Sequence, residues 1–218
     1  MGTKTFIKSI QIVWAKAWDS IRFRWAMISA LLVFFIFPWK ADDYFQWIQL
    51  RPGIILKDWA LEQIPAYDVS KAIFTIIYLS VIYLLISLAS RPYTFLWFAW
   101  AFNIETLFRF ASIYLVALDP PVGLVDLHDP LAEIFIYGEN MAITKDLFFS
   151  GHTATMVFVA YFLPTQQGRK IALGLTLIIM SLLAIQHVHY SIDILAAPIV
   201  TWISIRLSKK ILRNLSLF

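Results

Sequence analysis

Apolar residues run along this chain in blocks separated by proline, glycine and charge. A hydrocarbon layer ~30 Å thick takes about 20 residues of helix, and blocks of that order recur. The first predicted span runs from Trp25 to Trp39 and ends at Pro38 and Lys40. A mixed segment follows to Ser70, interrupted by Pro52, Gly53 and Pro65, and its piece Ile54 to Ile64 reads as a short interfacial or re-entrant helix. The second span runs from Ala72 to Ala89 and is closed by Arg91-Pro92. The third runs from Tyr93 to Leu118 and stops at Pro120-Pro121. A polar loop reaches Asp146. The fourth span, Leu147 to Leu163, gives way to a turn at Pro164 and Gln166-Gln167-Gly168.

The remaining apolar stretch, Ile171 to Leu207, must be divided. As one helix it would be ~55 Å long, far beyond one bilayer crossing. Its polar cluster, His187 to Asp193, supplies the turn between a fifth and a sixth span. The predicted fold is therefore all-α, with six transmembrane helices in one domain over residues 25–218. Ahead of it, in residues 1–24, Phe6, Ile10, Val13, Ala17 and Ile21 recur at helical spacing among Lys4, Lys8, Lys16, Arg22 and Arg24. That pattern predicts a basic amphipathic helix on the cytosolic membrane surface.

Composition agrees with lipid as the solvent. Hydrophobic residues are 60% of the chain and charged residues 15%, with a mean hydropathy of +0.72. Such a chain has no soluble interior large enough for its apolar surface. Nine Trp and nine Tyr suit anchoring at the headgroup level. The absence of cysteine excludes disulfides, thiolate nucleophiles and cysteine-ligated metals.

Charge placement gives an orientation. With the N-terminus inside, the inner segments hold twelve Lys and Arg against one acid, Asp19, and the outer segments hold five against eleven. Inversion would violate the positive-inside rule, so both termini are placed in the cytosol. The net charge of +4 is thus a topology signal and gives no footprint for nucleic acid.

Ionisable groups at membrane depth are costly and usually functional. Glu105, Arg109, His152 and Asp193 fall there, with His189 in the last turn between spans five and six. On this topology His152, His189 and Asp193 converge on the outer side. His189 and Asp193 are four apart, so on one helical turn the carboxylate can orient the imidazole. His152 follows Ser150-Gly151 at a helix start, where free N–H groups favour an anion such as phosphate. Arg109 is suited to clamp phosphate oxygens. Plainer readings exist: His128 or His187 as interfacial anchors, and Glu105 with Arg109 as a self-neutralising i, i+4 pair.

At Phe149-Ser150-Gly151-His152-Thr153 and His189-Tyr190-Ser191-Ile192-Asp193 the sequence resembles the second and third signature blocks of the type 2 phosphatidic acid phosphatase (PAP2) superfamily. Within it, the nearer likeness is to the sphingomyelin synthase branch. Asp146 stands six residues before the motif histidine, as in that branch. Arg109, Tyr114 and Leu118-Asp119-Pro120 resemble its third span, and Asp58 to Ser70, with Ile64-Pro65 and Asp68, resembles its first outer loop. The chain departs from the lipid phosphatases of the wider superfamily. Arg91-Pro92 echoes their first block but falls on the inner side, and Leu182-Leu183 stands where they have a Ser-Arg pair. Thr144-Lys145 replaces the Cys-Gly of animal synthases.

The resemblance implies a two-step lipid phosphotransfer without metal or cofactor, with a phospholipid as donor. His189, held by Asp193, is the expected nucleophile and forms a phosphohistidine. His152 serves as acid and then base. Arg109, Ser150, Gly151 and Lys145 are expected around the phosphate, with Asp146, Glu105 and Glu133 behind them. The acceptor is either a lipid alcohol such as ceramide or water, the latter making a lipid phosphatase or phospholipase C-type hydrolase. The expected location is the extracytosolic face of a bacterial inner membrane. A channel or transporter is the non-enzymatic rival, but no repeat or polar stripe marks a span. P-loop, Gly-x-Ser-x-Gly and His-Glu-x-x-His patterns are absent.

Overall fold

The structure is a computed structural model and describes residues 3–127 and 143–217. Among these residues it is all-helical, with no strand. The helices are α1 (Thr3–Trp18), α2 (Ile21–Leu50), α3 (Trp59–Glu62), α4 (Ser70–Leu88), α5 (Pro92–Leu115), α6 (Gly151–Phe162), α7 (Gln166–Gln186) and α8 (Ser191–Asn214). Four of them, α2, α4, α7 and α8, are long and apolar enough to cross a membrane. Helix α5 carries Glu105 and Arg109 among its 24 residues, and α6 has only 12 residues.

The helices run up and down, so alternate ends meet. The ends of α2, α5 and α7 share one side with the starts of α4, α6 and α8. Helix α5 packs along α8 and α2, while α6 packs against α7, α8 and α4. Tight packing at the opposite end joins Leu84, Leu88, Phe158, Phe162 and Ile205, and edge-on aromatic pairs such as Phe98–Phe158 at 5.9 Å fill the layer. The helices thereby form a rigid frame behind the shared end.

That shared end is roofed by two loops, residues 51–69 and 116–127. Ile54 and Leu118 form an isolated parallel bridge, with Ile54 N–H donating to Ala117 O at 3.0 Å and Asp119 N–H to Ile54 O at 3.1 Å. Gln186 ties both loops to the end of α7: its Oε1 accepts from Val69 N–H at 2.9 Å, and its Nε2 donates to Asp126 O at 3.1 Å.

Several boundaries differ from the sequence reading. Helix α2 passes through Pro38 instead of ending there, and continues to Leu50. Proline removes one helical hydrogen bond, but the turns beyond it are held from outside. Ala41, Phe45 and Ile48 bury against Phe110 and Ile113 of α5, and Tyr44 Oη donates to Phe110 O at 2.7 Å. The segment Ile54 to Ile64 holds only the one-turn α3. Residues 147–150 are not helical, so the fourth apolar block enters its helix late. Helix α1 ends at Trp18, and Ser20 caps α2 before the expected boundary at residue 25.

Candidate active site

The chain reverses sharply just before α6. Phe148 adopts φ 81°, a left-handed conformation that strains a residue with a Cβ. Ser150 then caps the helix, its Oγ accepting from Thr153 N–H at 3.3 Å. Its own N–H donates to the Asp193 carbonyl at 3.1 Å, joining the start of α6 to the start of α8. His152, the second residue of α6, therefore lies where helix N–H groups and dipole favour an anion. Its ring meets the edge of Phe74 at 5.7 Å and the His189 ring at 6.1 Å, inclined by 60°.

His189 comes from the turn between α7 and α8. The expectation that His189 and Asp193 share a helical turn is corrected: α8 starts at Ser191, with Tyr190 as its N-cap. The two still approach within ion-pair distance, without a hydrogen bond between them. Asp193 Oδ2 lies 3.5 Å from His189 Nδ1 and accepts from Tyr190 N–H at 3.2 Å. His189 is 4% exposed and Asp193 1%, so water is largely excluded from their contact.

The turn itself is strapped down. His187, at φ 55°, points its ring nitrogens at Val122 O (3.1 Å) and Ile64 O (2.9 Å), one in each roof loop. Its place is in the packing of the turn. Tyr190 Oη donates to Asp119 O at 2.8 Å and accepts from Leu56 N–H at 3.1 Å.

Arg109 reaches this region from α5. Its close ion partner is Asp146, 37 positions along, through an Nη2 to Oδ2 contact of 2.6 Å. Nη1 donates to the Phe149 carbonyl. Glu105, one turn earlier, also lies in the field of this guanidinium. Glu105 is 4% exposed, and its Oε1 has no hydrogen-bond partner among the described residues. Arg109 and Asp146 thus fasten the segment entering α6, which is a different task from clamping a phosphate alone.

Lys145 is committed elsewhere: its Nζ lies 2.7 Å from Asp119 Oδ1 and donates to Arg51 O at 2.7 Å. Glu133 and His128 lie outside the described residues.

A cavity of about 370 Å³ opens among α2, α4, α5 and α6. Its polar end carries His152, Arg109, Asp146 and Glu105, and aromatic side chains including Phe34 and Phe102 line much of the rest. A charged phosphate ester with an apolar tail fits that division.

Residues 145–210 match the PAP2 superfamily C-terminal model. The matched stretch contains His152, His189 and Asp193, and it supports membership of the PAP2 superfamily and an enzyme of the lipid phosphatase or phosphotransferase type. No curated protein matches the chain. With its apolar helices, the match supports an integral membrane protein whose substrates are lipids.

The geometry of this site explains the glycine before His152. A Cβ on Gly151 would stand 2.9 Å from Arg109 Cζ and 3.1 Å from its Nη1. The guanidinium cannot simply swing aside, because Asp146 and the Phe149 carbonyl hold it. Gly151→Ala is expected to displace Arg109 and the entry to α6 and to lower kcat by about 10²-fold, read by steady-state kinetics on a phospholipid.

One carboxylate beside this site was not singled out as a site residue by the sequence. Asp58 Oδ2 accepts from Ser191 N–H at 2.6 Å, and Oδ1 accepts from Ser191 Oγ at 3.0 Å. The same Oδ1 caps α3 through Ala60 and Leu61 N–H at 3.1 and 3.2 Å. Burial pushes the Asp58 carboxyl up, but the hydrogen bonds from Ser191, Leu61 and Ala60 outweigh it and hold it below the usual 3.8. Its sequence signal was its place at the start of the Asp58 to Ser70 stretch that resembles the first outer loop of the synthase branch.

Proposed function

We propose that this protein moves a phospho-headgroup from a glycerophospholipid to a lipid hydroxyl of the ceramide type through a phosphohistidine on His189. The observation that carries the reading is the pairing of His189 Nδ1 with a buried Asp193 carboxylate opposite His152 at a helix N-terminus. Asp193 orients the ring and leaves Nε2 as the attacking nitrogen.

In the first step Nε2 bonds to phosphorus as the bond from phosphorus to the glycerol oxygen breaks. His152 gives its proton to that oxygen, and diacylglycerol departs. In the second step His152 takes the proton of the acceptor hydroxyl, whose oxygen bonds to phosphorus as the phosphorus–nitrogen bond breaks. The α6 N–H groups and the Arg109 cation offset the negative charge that builds on phosphorus.

A lipid acceptor is favoured over water by the aromatic cavity that ends on His152. The reading places the six helices α2 and α4–α8 across the membrane, α1 on the cytosolic surface, and the site on the outer face of a bacterial inner membrane. The inner-to-outer charge asymmetry supports that orientation. Trp14 Nε1, donating to Ala89 O at 2.7 Å, holds α1 against the opposite end of the bundle.

Headgroup-labelled phospholipid in vesicles, with and without ceramide, tests the acceptor. The expected product with ceramide is a labelled ceramide phosphodiester. Release of the labelled headgroup into water at the same rate, with or without ceramide, would overturn the transferase reading in favour of hydrolysis.

A further inference from the structure

We propose that Asp58 is a positioning residue for the reaction: from the roof loop it holds the first turn of α8 where Asp193 can orient His189. The proposal rests on the reading of His189 as nucleophile.

The first N–H groups of a helix have no partners within it. At α8 the N-cap is Tyr190, which has no short polar side chain to serve them. Two carboxylates do so instead. Asp193 Oδ2 takes the Tyr190 N–H, and Asp58 Oδ2, 133 positions earlier in the chain, takes the Ser191 N–H at 2.6 Å. Negative charge at a helix N-terminus is also favoured by the helix dipole.

The two carboxylates are coupled through this turn. Asp193 Oδ2 lies 3.5 Å from His189 Nδ1, within ion-pair distance but without a hydrogen bond. Without the tie to Asp58 the first turn of α8 loses its anchor to the roof loop, and a shift of that turn would carry Asp193 away from His189.

The substitutions Asp58→Asn and Asp193→Asn, singly and together, and Ser191→Pro separate this from a merely structural role. The amide introduced by Asp58→Asn has one acceptor oxygen where the carboxylate has two, so it cannot accept at both positions. Ser191 is the first residue of α8, where proline is tolerated, and Tyr190 at φ −65°, ψ 154° already has the conformation that precedes proline. Ser191→Pro therefore removes both donors to Asp58 while leaving the helix intact.

The full-length protein in nanodiscs, with fluorescent phospholipid as substrate, is the assay. Asp58→Asn and Ser191→Pro are each expected to lower kcat by about 10- to 100-fold with KM unchanged, and the double variant to be no slower than Asp193→Asn alone. Losses that multiply in the double variant, a rise in KM in place of the kcat loss, or wild-type kcat in Ser191→Pro would overturn the proposal. If Asp58→Asn does not elute as a monodisperse protein, Ser191→Pro with and without Asp193→Asn decides by the same criteria. Wild-type kcat in Asp193→Asn would overturn the nucleophile reading itself. A slow Asp193→Asn beside a fast Ser191→Pro would overturn this proposal alone.

Discussion

Replacing His189 with alanine is expected to lower turnover of a fluorescent phospholipid by about 10⁴- to 10⁶-fold, the scale of loss when a covalent nucleophile is removed. The fold should survive, because His189 lies in the turn between helices and not within one. The backbone around it is held by other groups: His187 on the two roof loops, Tyr190 on Asp119 and Leu56. Wild-type protein mixed with headgroup-labelled donor should retain acid-labile label, and His189→Ala should retain none. Activity within tenfold of wild type in His189→Ala would sink the assignment.

Arg109→Ala is expected to cost both activity and stability. The side chains of Arg109 and Asp146 are 13% and 19% exposed, and removing one partner leaves a largely buried charge unpaired, at about 3 kcal/mol. The Phe149 carbonyl loses its donor in the same change. On the proposed mechanism, the loss of positive charge beside the reacting phosphorus adds a drop of about 10³-fold in kcat. Arg109→Lys should recover little, since an ammonium cannot reproduce the fork that spans Asp146 and Phe149. A thermal unfolding series in nanodiscs reads the first effect and steady-state kinetics the second. An unchanged melting temperature in Arg109→Ala would show that Asp146 finds another partner.

The parts of this structure legible in the sequence are those that local pattern controls. The division of Ile171 to Leu207 followed from length alone, and the turn falls between Gln186 and Ser191. The helix start beside His152 followed from Ser150-Gly151, and Ser150 caps the helix there. What local pattern does not encode is which distant groups meet. Arg109 has one acid four residues before it and another 37 residues after it, and only the fold selects Asp146. Asp58 and Ser191 lie 133 positions apart, with no periodicity to join them. Pro38 is a sound stop signal in water, yet α2 continues because α5 packs against the turns beyond it. The late start of α6 depends on Phe148 at φ 81°, which nothing in an apolar phenylalanine foretells.

The cavity that reaches His152 opens beside α2 and α4, both long and apolar enough to cross a membrane, and Phe34, part of its lining, is 42% exposed on α2. On the proposed placement a substrate entering there arrives sideways out of the lipid and need never cross water. The concentration that governs its capture is then a mole fraction in the plane of the bilayer. Diffusion in that plane, and the crowding of competing lipids around α2 and α4, set the rate of supply, and a donor scarce in its leaflet is sampled in proportion to its share of the neighbours.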